Sequence, residues 1–286
     1  MNRQHSFENE KPTLYLVPTP IGNLNEMTPR ALDVLKNVDI IACEDTRTSG
    51  QMLKHFEIES RLIAYHNFNE EASTNGILEL LSEGKNIALI SDAGYPLIND
   101  PGQRVVAAAS GAGYNVVPVS GASAFLNAIV ASGLVVQPFI FIGFLPQQHT
   151  DRLKKLREYK AYPMTMVFYE SPHRIDKCLQ DCLDVFGDRQ MVLARELTKI
   201  HEEFLRGKIS EILPVLPELK GEMVIVIDGN HDDYAKDVDM NAIMDMVQAS
   251  IDAGLSTKDA IKEAAVRTGI AKNRIYDEYH SRSGEC

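Results

Sequence analysis

From Thr13 onward, short uninterrupted apolar runs alternate with longer amphipathic stretches, and this alternation restricts the chain more than any other feature in it. LYLVPTP (14–20), VDIIACE (38–44), RLIAYH (61–66), NIALISD (86–92) and YNVVPVS (114–120) read as strands. A strand that is apolar at successive positions must be covered on both faces. Strands separated by helices run parallel, so the pattern predicts a mostly parallel sheet with helices on either side. TPRALDVLKNV (28–38) carries Thr-Pro at the cap and first helical positions and apolar residues one turn apart, which predicts a helix. A second helix is expected at SGQMLKHF (49–56) after a polar turn, and others near 70–83 and 101–112.

Beyond residue 121 the rhythm changes. A helix at 122–133 is followed by FIFIGFLP, a basic helix (151–160), MTMVFYES, a helix at 172–186, QMVLARELT, EEFLRGKIS, a helix at 209–216 and GEMVIVID. Five strands, two of them neighbours in a hairpin-like ARELTKIHEEFLRG, predict a second α/β domain with a mixed sheet. The polar, acidic GNHDDYAKDVD (229–239) then leads into a helical segment. The expected division is a flexible tail (1–12), a first α/β domain (13–121), a second (122–228), a linker (229–239) and a helical appendage (240–286). A chain of 286 residues exceeds one ordinary core, which agrees with two domains.

Composition narrows the function classes. A net charge of −11 means that a nucleic-acid partner must be met by a local basic patch, not by the field of the whole molecule. Val105 to Thr150 holds no Asp, Glu, Lys or Arg, but eight glycines and prolines punctuate it, so it reads as buried strand, helix and strand instead of a membrane span. Cys43, Cys178, Cys182 and Cys286 lack zinc-ribbon spacing and read as reduced thiols. The amino-terminal residues have no signal-peptide pattern, and no histidine pair has metal-ligand spacing. A cytoplasmic protein without a metal requirement is expected.

Three loops, each following a strand of the first domain, carry the strongest local signals: VPTPIGNL (17–24), SDAGYPLINDPG (91–102) and VPVSGASA (117–124). In an open parallel sheet, ligands bind beyond the carboxyl ends of the strands, where glycine permits close approach and small hydroxyl residues donate hydrogen bonds. None of the loops spells a dinucleotide fingerprint or a P-loop. Gly121-Ala-Ser123 begins like a nucleophile elbow but lacks the closing glycine, and a simple turn residue is the alternative for Asp92.

These loops, together with ACEDTR (42–47), GFLP (143–146), YESPHR (169–174), ARELTK (194–199) and KGEMV (220–224), resemble the bacterial small-subunit ribosomal RNA cytidine 2′-O-ribose methyltransferases of the tetrapyrrole methylase superfamily. The resemblance runs in order from about 13 to 228, with Ser120 where a proline is usual. It implies S-adenosylmethionine in a cleft between two α/β domains of a homodimer. By motif, the cofactor-binding residues are Pro20; Asp92, Ala93, Gly94 and Ile98; Ser123 and Ala124; and, from the second domain, Tyr169 and Glu170.

A sulfonium already activates its methyl group, so the protein is asked chiefly to position a ribose oxygen and help remove its proton. Asp45 and Arg47 follow the second strand and Glu196 and Lys199 follow a strand of the other domain, so these four are the catalytic candidates. A carboxylate such as Asp45 or Glu196 would take the proton, and Arg47 and Lys199 would hold phosphates or lower the barrier electrostatically; an interdomain salt-bridge network is the alternative for each. His173, after Ser-Pro, reads as a helix-terminal residue. The RNA-binding candidates are Arg152, Lys154, Lys155 and Arg157 on the basic helix, and Lys258, Lys262, Lys272 and Arg274 in a segment resembling a helix-turn-helix. The expected partner is small-subunit ribosomal RNA or the 30S subunit. The rival readings are a tetrapyrrole C-methyltransferase and a DNA-binding regulator with an α/β sensor.

Overall fold

The computed structural model describes residues 3–65, 70–231, 240–268, 270 and 272–283. His66 at the end of the expected third strand, positions 232–239 of the expected linker, and Cys286 lie outside the described residues. The backbone forms two compact units, Met1–Lys160 with Met164–Asp228, and Ala161–Pro163 with Gly229–Cys286.

The first unit contains two five-stranded sheets. In the first, β1 (Thr13–Val17), β2 (Ile40–Cys43), β3 (Arg61–Ala64), β4 (Ile87–Ile90) and β5 (Asn115–Pro118) lie in the order β3-β2-β4-β1-β5, every pairing parallel. Both faces are covered, as the apolar runs require. Val17, Ile41, Cys43, Ala88 and Ile90 pack with α1 (Pro29–Asn37) and α2 (Thr46–His55), while Leu14, Ile40, Ala42, Ile87 and Leu89 face α3 (Glu70–Ser82) and α4 (Gln103–Gly111). Thr28 caps α1, its Oγ1 accepting from the Ala31 N–H at 3.1 Å, with Pro29 at the first position. The amino-terminal stretch, expected to be flexible, makes hydrogen bonds along the sheet edge. Gln4 Nε2 donates to Val116 O at 2.9 Å and the Val116 N–H donates to Gln4 Oε1 at 3.0 Å.

One boundary differs from expectation. The polar turn before the second helix is its first turn, because the Asp45 carboxylate accepts the otherwise unpaired N–H groups of Arg47 and Thr48 and starts α2 at Thr46.

The second sheet follows α5 (Ala124–Val130) and is mixed. β6 (Phe139–Phe144), β7 (Thr165–Glu170), β8 (Gln190–Arg195), β9 (Glu203–Lys208) and β10 (Met223–Ile227) lie in the order β6-β7-β10-β8-β9, with only β6 and β7 parallel. Alternate residues serve two cores. Met166, Phe168, Leu193 and Ile225 pack with α6 (His149–Tyr159), α7 (Ile175–Phe186) and α8 (Ile209–Ile212), whereas Val167, Val192, Val224 and Val226 pack against Ile21 of the β1 loop and against Ala128 and Ile129 of α5. The core on this second face is thus built from both α/β domains.

The second unit has its own core. In α9 (Met240–Asp252), α10 (Thr257–Thr268) and α11 (Lys272–Ser283), the buried residues are Ile243, Met244, Val247, Ala260, Ile261, Ala264 and Ile275, joined by Ile270 of the turn. Among the described residues no helix is long and apolar enough to cross a membrane.

Candidate active site

The three loops beyond the first sheet are held to one another by hydrogen bonds. Thr19 and Gly94 exchange both backbone bonds, at 2.9 and 3.0 Å, and Ser91 Oγ donates to Gly94 O at 2.7 Å. The Gly121 N–H donates to the Tyr95 hydroxyl at 3.0 Å, which ties the third loop to the second. Gly94 sits at φ +81°, a conformation glycine adopts without strain. Its N–H and its carbonyl are both bonded to Thr19, so the residue ties the second loop to the first while standing in the wall of the cavity beneath them. Gly121 is a packing glycine too, since a Cβ there would meet Pro18 Cγ at 2.4 Å.

Beneath these loops lies a cavity of about 310 Å³, lined by residues of both α/β domains. Ala93, Gly94, Ile98, Ser123, Ala124, Tyr169 and Glu170 are in its wall, so seven of the nine residues expected to hold a cofactor meet there. Pro20 and Asp92 do not line it; they adjoin Ile21 and Ala93, which do. The Tyr169 hydroxyl accepts from the Phe125 N–H at 3.3 Å, and burial pushes the phenol up to about 12, so it stays protonated. Glu170 is buried, paired with Arg174 Nη2 at 3.1 Å and accepting from the Ser171 N–H at 2.8 Å.

Several residues of the wall were not anticipated, among them Asn99, Asp100, Phe144, Leu197 and Glu222. Asn99 and Asp100 lie within SDAGYPLINDPG but bear no pattern that marks them as ligand-facing. Their placement depends on backbone that few residues adopt: Leu97 and Asn99 sit at φ +74° and +69°. Asn99 reaches the β6 bulge, where a Cβ on Gly143 would lie 2.7 Å from its Nδ2. Asp100 is pushed up to about 6, first by burial and then by the charges of Glu44 and Asp92.

The four catalytic candidates form two separate sets outside the cavity wall. Asp45, the cap of α2, lies 3.4 Å from Arg47 Nη2, and the backbone N–H and side chain of Arg47 hold its carboxyl below the usual range. Apart from that contact, Arg47 is 89% exposed to solvent. Glu196 and Lys199 make an ion-paired cluster in which Lys199 Nζ lies 3.0 Å from both Glu196 Oε1 and Glu222 Oε2. Lys199 first of all lowers the Glu196 carboxyl. Burial opposes the Lys199 charge, yet its bonds to the two carboxylates outweigh this and the ammonium is raised. Glu222 lines the cavity, which places this cluster at its rim.

Of the basic-helix candidates, Arg152 must be reassigned. It is 4% exposed; its Nε lies 2.6 Å from Asp181 Oδ2, and its Nη1 donates to the carbonyls of Pro146 and Gln147. Its Nε and Nη1 serve the fold and the side chain is buried, so it is not presented to a phosphate. Lys155 pairs with Glu158 at 2.7 Å, while Lys154 and Arg157 are exposed. In the second unit Lys258, Lys262 and Arg274 are exposed and Lys272 is half-buried.

The cavity suits a cation with an apolar body. Ile21, Ile98, Leu197 and Val224 supply apolar wall, Ser123 a hydroxyl that caps no helix, and Asp100 a carboxylate whose ionisation a positive ligand would favour. Comparison with known proteins agrees with this chemistry. Residues 13–213 match the tetrapyrrole (corrin/porphyrin) methylases. The ribosomal RNA small subunit methyltransferase I of Bacillus subtilis (strain 168) is 44% identical over 98% of this chain and 99% of its own. The protein of the same name from Escherichia coli O157:H7 is 43% identical over 96% and 97%. Among solved structures, a cobalt precorrin-4 methyltransferase of cobalamin biosynthesis aligns with a TM-score of 0.57 at 16% identity, covering 76% of this chain and 94% of its own. The uroporphyrin-III-C-methyltransferase of Thermus thermophilus aligns at 0.52 and 20%, covering 76% and 92%. At these identities the two structures bear on the fold alone.

Proposed function

The chain belongs to the tetrapyrrole methylase family and, within it, to the ribosomal RNA small subunit methyltransferases I, and on that premise we propose that it methylates the ribose 2′-hydroxyl of a cytidine in small-subunit (16S) ribosomal RNA, with S-adenosylmethionine as methyl donor. The observation that carries this reading is that likeness to ribosomal RNA methyltransferases runs through the three loops, the second sheet and the helical segment alike.

Bound in the cavity, S-adenosylmethionine supplies a methyl group already activated by its sulfonium. Ala93, Gly94, Ile98, Ser123, Ala124, Tyr169 and Glu170 hold it in this proposal, with Pro20 and Asp92 behind the wall. Ile21, Ile98, Leu197 and Val224 exclude water, and Asp100 answers the positive charge. Asp45 and Glu196 have lowered carboxyls, which makes them weak proton acceptors and firm partners for Arg47 and Lys199. We therefore assign Arg47 and Lys199 to holding the RNA, with Asp45 and Glu196 positioning them. Lys154 and Arg157 offer further phosphate contacts.

In the same proposal the enzyme is a cytoplasmic homodimer. Leu126 and Val130 on α5 and Val135 and Val136 before β6 are exposed, apolar side chains that a second copy would cover. The test is to incubate the protein with labelled S-adenosylmethionine and either 30S subunits or naked 16S RNA, then map the label by nuclease digestion. Label on a cytidine ribose is the expected result; label on a base, or on a tetrapyrrole in place of RNA, overturns the reading.

A further inference from the structure

The helical unit carries an open hollow whose chemistry is more specific than a basic helix face. Lys258 on α10 and Lys272 on α11 line it together with Tyr276, Tyr279 and His280, above Ile261 of the core. Among the described residues no carboxylate is in its wall. On a chain of net charge −11, a hollow with two lysines and no acid is a local site for an anion. Its aromatic side is equally particular. Tyr276 is 50% exposed although it is a large ring, and its centroid lies 4.2 Å from that of His280. His280 in turn meets the edge of Tyr279 at 5.6 Å, and Tyr279 packs on the unit's apolar core. The exposed ring is thus backed by a row of rings that leads down to the core, which holds it in place while leaving it open to solvent.

A fixed, solvent-facing aromatic ring beside two ammonium groups matches one unstacked nucleotide: the base lies on the ring and the flanking phosphates meet the lysines. A duplex would use the hollow poorly, because its bases are stacked on one another and offer no face. We propose that the hollow between α10 and α11 binds an unpaired nucleotide of single-stranded RNA, its base stacked on Tyr276 and its phosphates held by Lys258 and Lys272. This rests on the reading that the chain acts on RNA, and it changes how the helical unit takes part: it recognises a single-stranded segment and does not lay a recognition helix into a duplex groove.

The test uses the full-length chain and fluorescence anisotropy with a labelled single-stranded RNA of mixed sequence and with the same RNA in a duplex. Tyr276→Ala should weaken single-strand binding by about tenfold or more, and Tyr276→Phe, which keeps the ring, should stay within about twofold of the parent. Lys258→Ala with Lys272→Ala should weaken single-strand binding and flatten its salt dependence. Duplex binding should change little in Tyr276→Ala. Equal losses on both RNAs, or Tyr276→Ala binding like the parent, overturn the proposal, as does an acidic peptide displacing the single strand from the hollow without loss in Tyr276→Ala. Methyl transfer to ribosomal RNA, measured separately on the same proteins, keeps the two readings apart. Transfer by the parent with Tyr276→Ala indifferent in both assays removes only the hollow; no transfer by the parent with ring-dependent single-strand binding removes only the methylation.

Discussion

The aliphatic stem of Lys199 lies over Gly22, its Cγ and Cε 2.5 and 2.6 Å from the point where a side chain at position 22 would begin. A residue from the second sheet's loop is thereby seated on the first loop of the other domain, and its ammonium is aimed at Glu196 and Glu222. Because the pair is partly exposed, Lys199→Ala should cost about 1 kcal/mol of stability or less. Methyl transfer per folded molecule should fall at least about tenfold while cofactor affinity is kept. Normal activity with a large loss of stability would make the lysine purely structural. Gly22→Ala should be worse for stability, since position 22 is at φ +142° and the new Cβ would push the stem aside.

Asp100 sets a pH dependence whose sign can be worked out. Its carboxyl is raised from 3.8 to about 6 in the folded chain. Between those values the folded state holds a proton that the unfolded state has released, so stability falls as pH rises through that window. Asp100→Asn should therefore be more stable than the parent above pH 6 by roughly 1–2 kcal/mol, the full shift being reduced by partial exposure, and indistinguishable from it below about pH 4. Urea denaturation across pH measures this. A gap that is constant with pH would show that the amide acts through packing.

Cofactor binding should depend on the same group in the opposite sense. An ionised Asp100 attracts a sulfonium and an ammonium, so S-adenosylmethionine affinity should rise several-fold as pH is raised through about 6. In Asp100→Asn the affinity should be weaker and nearly flat across that range. Calorimetry giving the same pH profile for both proteins would take Asp100 out of the site.

Arg152 and its neighbours should separate stability from RNA contact. Arg152→Ala leaves Asp181 buried without its closest cation, which should cost about 3–5 kcal/mol. Lys154→Ala and Arg157→Ala should each be nearly neutral for stability and should reduce the salt dependence of RNA binding. The reassignment of Arg152 fails if its alanine variant unfolds like the parent.

Gly121→Ala should destabilise the chain by about 1–3 kcal/mol through the overlap with Pro18, since the loops it joins cannot both keep their places. The loss should appear in the cofactor-free protein, whereas a glycine needed only for ligand approach would leave that protein unchanged.

The central strands were legible because they are buried on both faces, and such burial leaves continuous apolar runs, as in Ile40–Cys43 and Ile87–Ile90. The glycines at 94 and 121 were legible as loop glycines, but their partners within the fold were not. One bonds Thr19 and the other gives way to Pro18, partners more than seventy residues away in sequence.

What the sequence by itself determined is therefore what local pattern encodes: the order and type of the elements, the three loops beyond the first sheet, and the motifs that mark the family. The tertiary structure alone decided which side chains meet. Arg152 reads as a surface cation until Asp181, 29 residues on, buries it, and Asn99 and Asp100 read as turn residues until left-handed backbone and the Gly143 bulge carry them to the cavity. The reason is physical. Periodic burial is repeated along an element and so is written many times over, whereas a buried ion pair or a close approach depends on one distant partner, and nothing in the neighbouring residues records where that partner will stand.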